Sequence, residues 1–258
     1  MLRSSRNVLD PSRDYLFELR LAGVLKSRCL ASLDELVHLL IEKPDRELEE
    51  MIVDAMTINE TSFFRDTRPF ELLRTTLLEP MLDARRMTRR LRFWSAACST
   101  GQEAYSLAIL LREHFPHLAN WNIRVEGTDL SAQVVQRAKL GRYHRIEINR
   151  GLPARCIPRF FDHEGDEWTV KPEVHGLCRF RQLNLCAANL PFPEPFDVVM
   201  IRNVLLYFDM PTRRAVLETV HKMLAPDGVM FMGSSEQPPD MSPWKVELAG
   251  GTCVYRPR

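Results

Sequence analysis

The sequence predicts an α/β fold, a mostly parallel sheet with an antiparallel edge strand and a small inserted antiparallel β-subdomain, preceded by a small all-helical N-terminal domain. Three observations carry this expectation. From residue 91 onward, short apolar runs alternate with helical stretches, the pattern of a parallel sheet with crossover helices. The chain before that point has helical signals and almost no strand signal. Between 141 and 179 the alternation breaks into Pro, Gly and charged residues around short candidate strands.

In chain order, Asp10-Pro11 pairs an N-cap with a proline at the first helical position, and Leu16, Leu19 and Gly23 recur at helical spacing. Ser32 followed by Glu35 forms a capping box before Leu36, Val37, Leu39, Leu40 and Ile41, and Pro44-Asp45 opens a third helix through Met51, Ile52 and Ala55. Arg13, Arg20 and Arg28 share one broad face of an unbroken first helix, either a solvated face or a docking face for an acidic partner. A helix from Pro69 to about Met81 leads into the basic run 85–90, which reads as a solvated connector. The expected units are therefore 1–68, a connecting helix and linker at 69–90, and 91–258 with the insertion at about 141–180.

Within the last unit, strand and helix pair at 91–97 with 102–115, 123–128 with 131–140, and 196–201 with 211–224. A strand at 229–233 follows the Pro226-Asp227-Gly228 turn, and 252–255 reads as a final edge strand. The insertion offers strands near 168–170 and 177–180. A structureless loop of roughly forty residues is improbable in a compact domain, which favours a small antiparallel subdomain.

At 258 residues with 45% apolar and 27% charged side chains, the chain can bury a large core. Lys and Arg number 35 against 34 Asp and Glu, leaving +1, without the basic excess that phosphate neutralisation requires of a nucleic-acid binder. No window reaches the ~18 apolar residues of a membrane helix. Met1-Leu2-Arg3-Ser4-Ser5-Arg6 has no apolar segment behind it. The expectations are a cytoplasmic location, no membrane insertion and no nucleic-acid partner. The six cysteines have no zinc-ligand spacing and read as reduced, buried thiols, so no metal is expected.

In an open parallel sheet, ligands bind beyond the carboxyl ends of the strands. After the first strand comes Ala96-Ala97-Cys98-Ser99-Thr100-Gly101-Gln102-Glu103-Ala104-Tyr105-Ser106, a turn of small residues leading into a helix. It lacks the Gly-Lys-Ser/Thr of a phosphate loop and carries Glu103, which suits an ammonium or sulfonium rather than a phosphate. After the second strand, Asp129 can accept both hydroxyls of a ribose or cap the next helix. A ribose beside a cationic group points to S-adenosylmethionine.

These segments closely resemble the CheR family, S-adenosylmethionine-dependent methyltransferases that esterify glutamate side chains of chemotaxis receptors. The resemblance spans nearly the whole chain. It is carried by Asn59-Glu60-Thr61-Ser62-Phe63-Phe64-Arg65-Asp66, by 93–106, by Gly127-Thr128-Asp129, by Asn184-Leu185, by 196–208 including Arg202-Asn203 and Tyr207, and by Gly233-Ser234-Ser235-Glu236. It implies a Rossmann-like S-adenosylmethionine-dependent methyltransferase domain in which Asn59, Thr61 and Arg65 reach over the cofactor, Glu103 takes its methionine end and Asp129 its ribose. Asn184, Leu185, Arg202 and Asn203 complete the pocket, and Arg65 and Tyr207 stand nearest the transferred methyl and the incoming carboxylate.

A glutamate side chain with a reference pKa near ~4.3 is an ionised nucleophile at neutral pH, so no general base is needed. The work is in-line placement of its oxygen against the methyl. The implied partner is the cytoplasmic domain of a methyl-accepting receptor, the product is S-adenosylhomocysteine and the enzyme is expected to be monomeric. Three departures from the family stand out: a first helix shortened at 1–10, Ala104 where the family commonly has proline, and a shorter insertion without a glycine-rich loop, which speaks against binding of a receptor tethering peptide. Arg202-Asn203-Val204-Leu205-Leu206-Tyr207 is not the Asn/Asp-Pro-Pro-aromatic stretch of base methyltransferases. The alternatives are a small-molecule carboxyl methyltransferase and a non-catalytic cofactor-binding signalling module.

Overall fold

The computed structural model describes residues 15–43, 45–57, 59–187 and 189–258. The Asp10-Pro11 cap, Arg13, the segment 1–10 and Pro44 lie outside them. Three helices come first: α1 (Tyr15–Ser27), α2 (Leu33–Glu42) and α3 (Arg46–Met56). Ser32 Oγ accepts the Glu35 N–H at 3.2 Å and Asp45 Oδ1 accepts the Leu48 N–H at 3.1 Å, so both later helices start on side-chain caps. Their apolar faces enclose a small core of Leu21, Val24, Leu36, Leu48, Ile52 and Met56. Of the residues that recur at helical spacing, Leu19 and Gly23 are exposed. Leu21 and Val24 turn inward instead, because α1 packs on α3 through the 21/24 ridge.

The arginines do not form a free basic stripe. Arg28 lies beyond the end of α1 and pairs with Glu47 at 2.8 Å and Asp45 at 3.5 Å, while Arg20 Nη1 donates to the Met56 carbonyl at 3.1 Å. The run 85–90 is also less solvated than expected. Arg85 pairs with Asp197 and Asp227, and Arg90 with Glu194, so the connector is fastened to the sheet beneath it. It follows α4 (Arg68–Leu72), which continues through a π-helical turn into α5 (Leu78–Ala84).

The main sheet contains β1 (Arg90–Ala96), β2 (Asn122–Asp129), β6 (Cys178–Gln182), β7 (Phe196–Ile201), β8 (Leu224–Met232), β9 (Trp244–Ala249) and β10 (Thr252–Pro257), ordered β6-β2-β1-β7-β8-β10-β9. The first five are parallel, and β10 runs antiparallel to both neighbours. Crossovers run through α6 (Gln102–His114), α7 (Ala132–Leu140) and α11 (Met210–Met223). Burial on both faces makes the central strands continuously apolar. Phe93, Val125, Val198 and Val229 face one core, and Trp94, Ala96, Val199 and Met230 face the other.

A second sheet, β3 (Arg142–His144), β5 (Glu167–Val170) and β4 (Phe161–Glu164) in that spatial order, is antiparallel and is accompanied by the short helices α8 (Arg145–Asn149), α9 (Cys156–Phe160) and α10 (Pro172–His175).

Three readings of the strands need correction. The last strand is interior, and the edge is β9, whose mostly exposed Lys245, Glu247 and Leu248 mask its strand character. The strand expected at 177–180 joins β2 in the main sheet rather than the insertion, since Val125–Asp129 offer it an open parallel edge. Pro226-Asp227-Gly228 lies within β8, which begins at Leu224 and absorbs the proline in a register irregularity opposite Phe196 and Val198. Of the cysteines, Cys98, Cys156 and Cys178 are buried, whereas Cys29 and Cys253 are exposed.

Candidate active site at the carboxyl edge of the sheet

The chain order reverses between β1 and β7, and the residues that follow β1, β2, β6 and β7 meet at this switch point. After β1, Ala97 and Ser99 take left-handed backbone angles (φ 63° and 51°), which folds the turn tightly enough for Gly101 to open α6. Asp129 ends β2 and is 8% exposed. Its carboxylate accepts the Ser99 N–H at 2.8 Å and the Ser131 N–H at 3.1 Å, joining the two strand-end turns. Burial lifts its pKa above the ordinary Asp value, opposed by those backbone donors.

Glu103, in the first turn of α6, accepts Ser95 Oγ at 2.7 Å on one oxygen and Arg202 Nη1 at 3.0 Å on the other. Burial, with the carboxylates of Asp129 and Glu103 adding to it, pushes the Cys98 thiol well up. Leu183 N–H donates to the Asp129 carbonyl at 2.8 Å, which sets the following Asn184 and the buried Leu185 beside the end of β2. Asn184 Oδ1 accepts the Cys186 N–H at 2.9 Å and shapes that turn.

The segment 59–66 closes over this edge. The Asn59 carbonyl accepts Ser99 Oγ at 2.7 Å, and the Phe64 N–H donates to Ser106 Oγ of α6 at 2.9 Å. Phe63 is fully buried against Tyr143 and Phe161 of the small sheet, with ring centroids 5.0 and 5.6 Å away. Tyr143 also donates its hydroxyl to the Thr100 carbonyl at 2.7 Å, so the insertion supports both the segment and the turn after β1. Gly151 packs so closely that a Cβ there would lie 2.0 Å from the Phe63 carbonyl oxygen, and its φ of +91° also favours glycine. Thr61 is half-buried in this segment, and Arg65 Nη1 donates to the Glu60 carbonyl at 2.8 Å.

Arg202 sits where all these parts touch. Its side chain is 2% exposed, and it pairs with Glu103, with Asp66 at 2.6 Å, and with the Arg65 carbonyl at 2.8 Å. Its Nε is buried without a partner. The resemblance implies a pocket-lining role for Arg202; here its guanidinium joins the covering segment to the carboxylate of α6.

Tyr207 lies in a short 3₁₀ turn, Leu205–Tyr207. Burial raises its phenol pKa above the usual value, with Arg20 and Arg65 pulling it down and Glu236 and Glu60 pushing it up, so it keeps its proton at neutral pH. Asn203, at φ 59°, donates its N–H to Glu236.

The sequence reading missed Ser99, Ser106, Asp66, Tyr143, Gly151 and Glu236 as parts of this site. Asp66 and Glu236 stand inside the segments that carry the resemblance and could have been found there, whereas nothing local marks Gly151. The chemistry of the donor set fits S-adenosylmethionine. Two carboxylates retain acceptor capacity beside a turn of small residues, one suited to a ribose diol and the other to an ammonium. Among the described residues, no cluster of three or more His, Cys, Asp or Glu could hold a metal ion, and no helix is long and apolar enough to cross a membrane.

Residues 59–252 match the model of the CheR methyltransferase, SAM binding domain. Among curated proteins, the chain is 40% identical over 233 residues to Chemotaxis protein methyltransferase 1 of Pseudomonas aeruginosa, covering 89% of this chain and 84% of that protein. It is 37% identical over 234 residues to Chemotaxis protein methyltransferase Cher2 of Pseudomonas putida, with the same coverage of both chains. It is 33% identical over 232 residues to Chemotaxis protein methyltransferase of Escherichia coli, covering 88% of this chain and 77% of that protein.

Proposed function

We infer that this chain, which belongs to the CheR methyltransferase family, methylates glutamate side-chain carboxylates on the cytoplasmic domain of a methyl-accepting chemoreceptor and releases S-adenosylhomocysteine. The observation that supports the reading most is the pair of carboxylates at the strand ends, Glu103 beside Ser95 and Arg202 and Asp129 beside Ser99 and Ser131, under the covering segment that carries Arg65. The Arg65 guanidinium in that segment supplies a charge that can meet an anionic acceptor.

S-adenosylmethionine, when bound, supplies an electrophilic methyl on a sulfonium. Asp129 would accept the ribose hydroxyls and Glu103 the methionine ammonium, with Asn59, Thr61, Asn184, Leu185, Arg202 and Asn203 forming the walls. The acceptor carboxylate arrives ionised, so the protein moves no proton to activate it. Arg65 orients that carboxylate by a charge-assisted hydrogen bond, and Tyr207 donates its O–H to the same group. The bond from Arg65 has to stay modest, because a fully neutralised oxygen is a poorer nucleophile. Arg20 extends the positive field toward the neighbouring acidic residues of the substrate.

The test is incubation with methyl-labelled cofactor and chemoreceptor cytoplasmic domains. The expected product is label on the receptor that mild base releases as methanol. Label only in a small-molecule fraction would assign a different acceptor, and cofactor binding by calorimetry without any labelled product would assign a non-catalytic module.

A further inference from the structure

Glu236 follows β8 and is spent entirely on backbone. Its Oε2 accepts the Asn203 N–H at 2.7 Å and the Gly233 N–H at 2.9 Å, and its Oε1 accepts the Leu206 N–H at 3.2 Å. Its own N–H donates to the Gly233 carbonyl at 2.9 Å, which turns the side chain back over the ends of β7 and β8. Two of the three donors are the N–H of Asn203, held at φ 59°, and that of Leu206, inside the turn that carries Tyr207.

Gly233 has to be glycine for this arrangement. A Cβ there would stand 2.6 Å from Glu236 Oε2 and 3.0 Å from the Asn203 nitrogen. A carboxylate that gathers several N–H groups does so through charge-assisted bonds stronger than those between neutral partners. Removing it leaves the donors of a half-buried loop to find other acceptors.

We propose that Glu236 is the positioning residue of the loop 203–208, fixing Asn203 toward the cofactor and Tyr207 toward the methyl acceptor from one carboxylate. It need touch neither molecule. Only the part concerning Tyr207 and turnover rests on the methyl-transfer reading; the placement of Asn203 is independent of which acceptor is used.

The test measures cofactor affinity by calorimetry, melting temperature, and kcat and KM for Glu236→Gln, Glu236→Ala and Gly233→Ala in the full chain. Loss of one strong acceptor corresponds to about tenfold weaker cofactor binding, and a displaced Tyr207 to a kcat lower by about 100-fold with acceptor KM little changed. Glu236→Gln should lie between wild type and Glu236→Ala. Because Gly233→Ala breaks the same bonds by pushing the carboxylate aside, the double variant Gly233→Ala/Glu236→Ala should be no worse than Glu236→Ala alone. Tyr207→Phe should likewise cost little further in the Glu236→Ala background.

Unchanged cofactor affinity in Glu236→Ala would overturn the proposal, as would fully additive losses or a lowered melting temperature with unchanged kcat per folded molecule. If the wild type methylates no receptor yet Glu236→Ala still weakens cofactor binding, the methyl-transfer reading fails and the positioning of Asn203 stands.

Discussion

The helical module at 15–56 and the covering segment at 59–66 are neighbours in the chain, but they are built on different principles. The module closes on its own apolar cluster, its helices start on ordinary caps, and of its described residues only Cys29 takes a left-handed angle. The segment and the turns it covers hold Phe64, Asp66, Ala97, Ser99 and Asn203, five of the seven non-glycine left-handed residues described. Ser99 and Arg202 donate hydrogen bonds to it and Ser106 Oγ accepts one from it, which together hold it in place. Apolar packing tolerates many solutions of similar volume, whereas a strained, hydrogen-bonded lip tolerates few. The described residues concentrate geometric precision at the carboxyl edge of the sheet and leave the module to burial.

Substitutions can break this contrast. Arg202→Ala strands Glu103 in a largely buried position and frees the segment. It should cost about 3–5 kcal/mol in a denaturant titration and bring cofactor binding below detection. Arg65→Ala removes only an orienting group; turnover should fall by about 10²–10³-fold, with cofactor affinity less affected, by labelled-methyl kinetics and calorimetry. Leu48→Ala, in the fully buried centre of the module, should destabilise it by about 2–4 kcal/mol by circular dichroism while cofactor affinity stays near wild type. Gly151→Ala should do the converse at about 1–3 kcal/mol, weakening cofactor binding by lifting Phe63 while the module's helices melt as before.

The smallest effect is a pH dependence. Folding raises the Asp129 pKa above 3.8, so the native protein takes up this proton at a higher pH than the unfolded chain does. As pH falls through the raised value, the group favours the fold while it loses acceptor capacity for a ribose. Cofactor affinity should therefore decline on acidification before an ordinary Asp would titrate, and Asp129→Asn should remove that step. A cofactor affinity that falls equally in both proteins would detach Asp129 from the ribose.

Strands β1, β2 and β7 and helices α6 and α7 were legible because apolar runs and caps are local signals. The position of the turn Ala97–Gly101 and of Asp129 at the ends of parallel strands was legible from the same local signals. Partner choice was not. The pairing of 178–182 with β2, the interior place of β10 and the union of Arg202 with Asp66 each join residues far apart in sequence, and no local pattern records them. Glu236 shows the same limit, since a carboxylate facing three N–H groups looks in sequence like any other exposed acid.

The single guanidinium of Arg202 ties together two stretches of chain that fold on opposite sides of residue 67. A fragment starting there could form every strand of the main sheet and still leave the buried Arg202 without Asp66 and the Arg65 carbonyl. The Asn59 carbonyl, which accepts Ser99 Oγ, would go with them, so the covered crevice is a joint product of the sheet and of the chain from Asn59 onward, and inheritance of the sheet alone would transmit the floor without its cover.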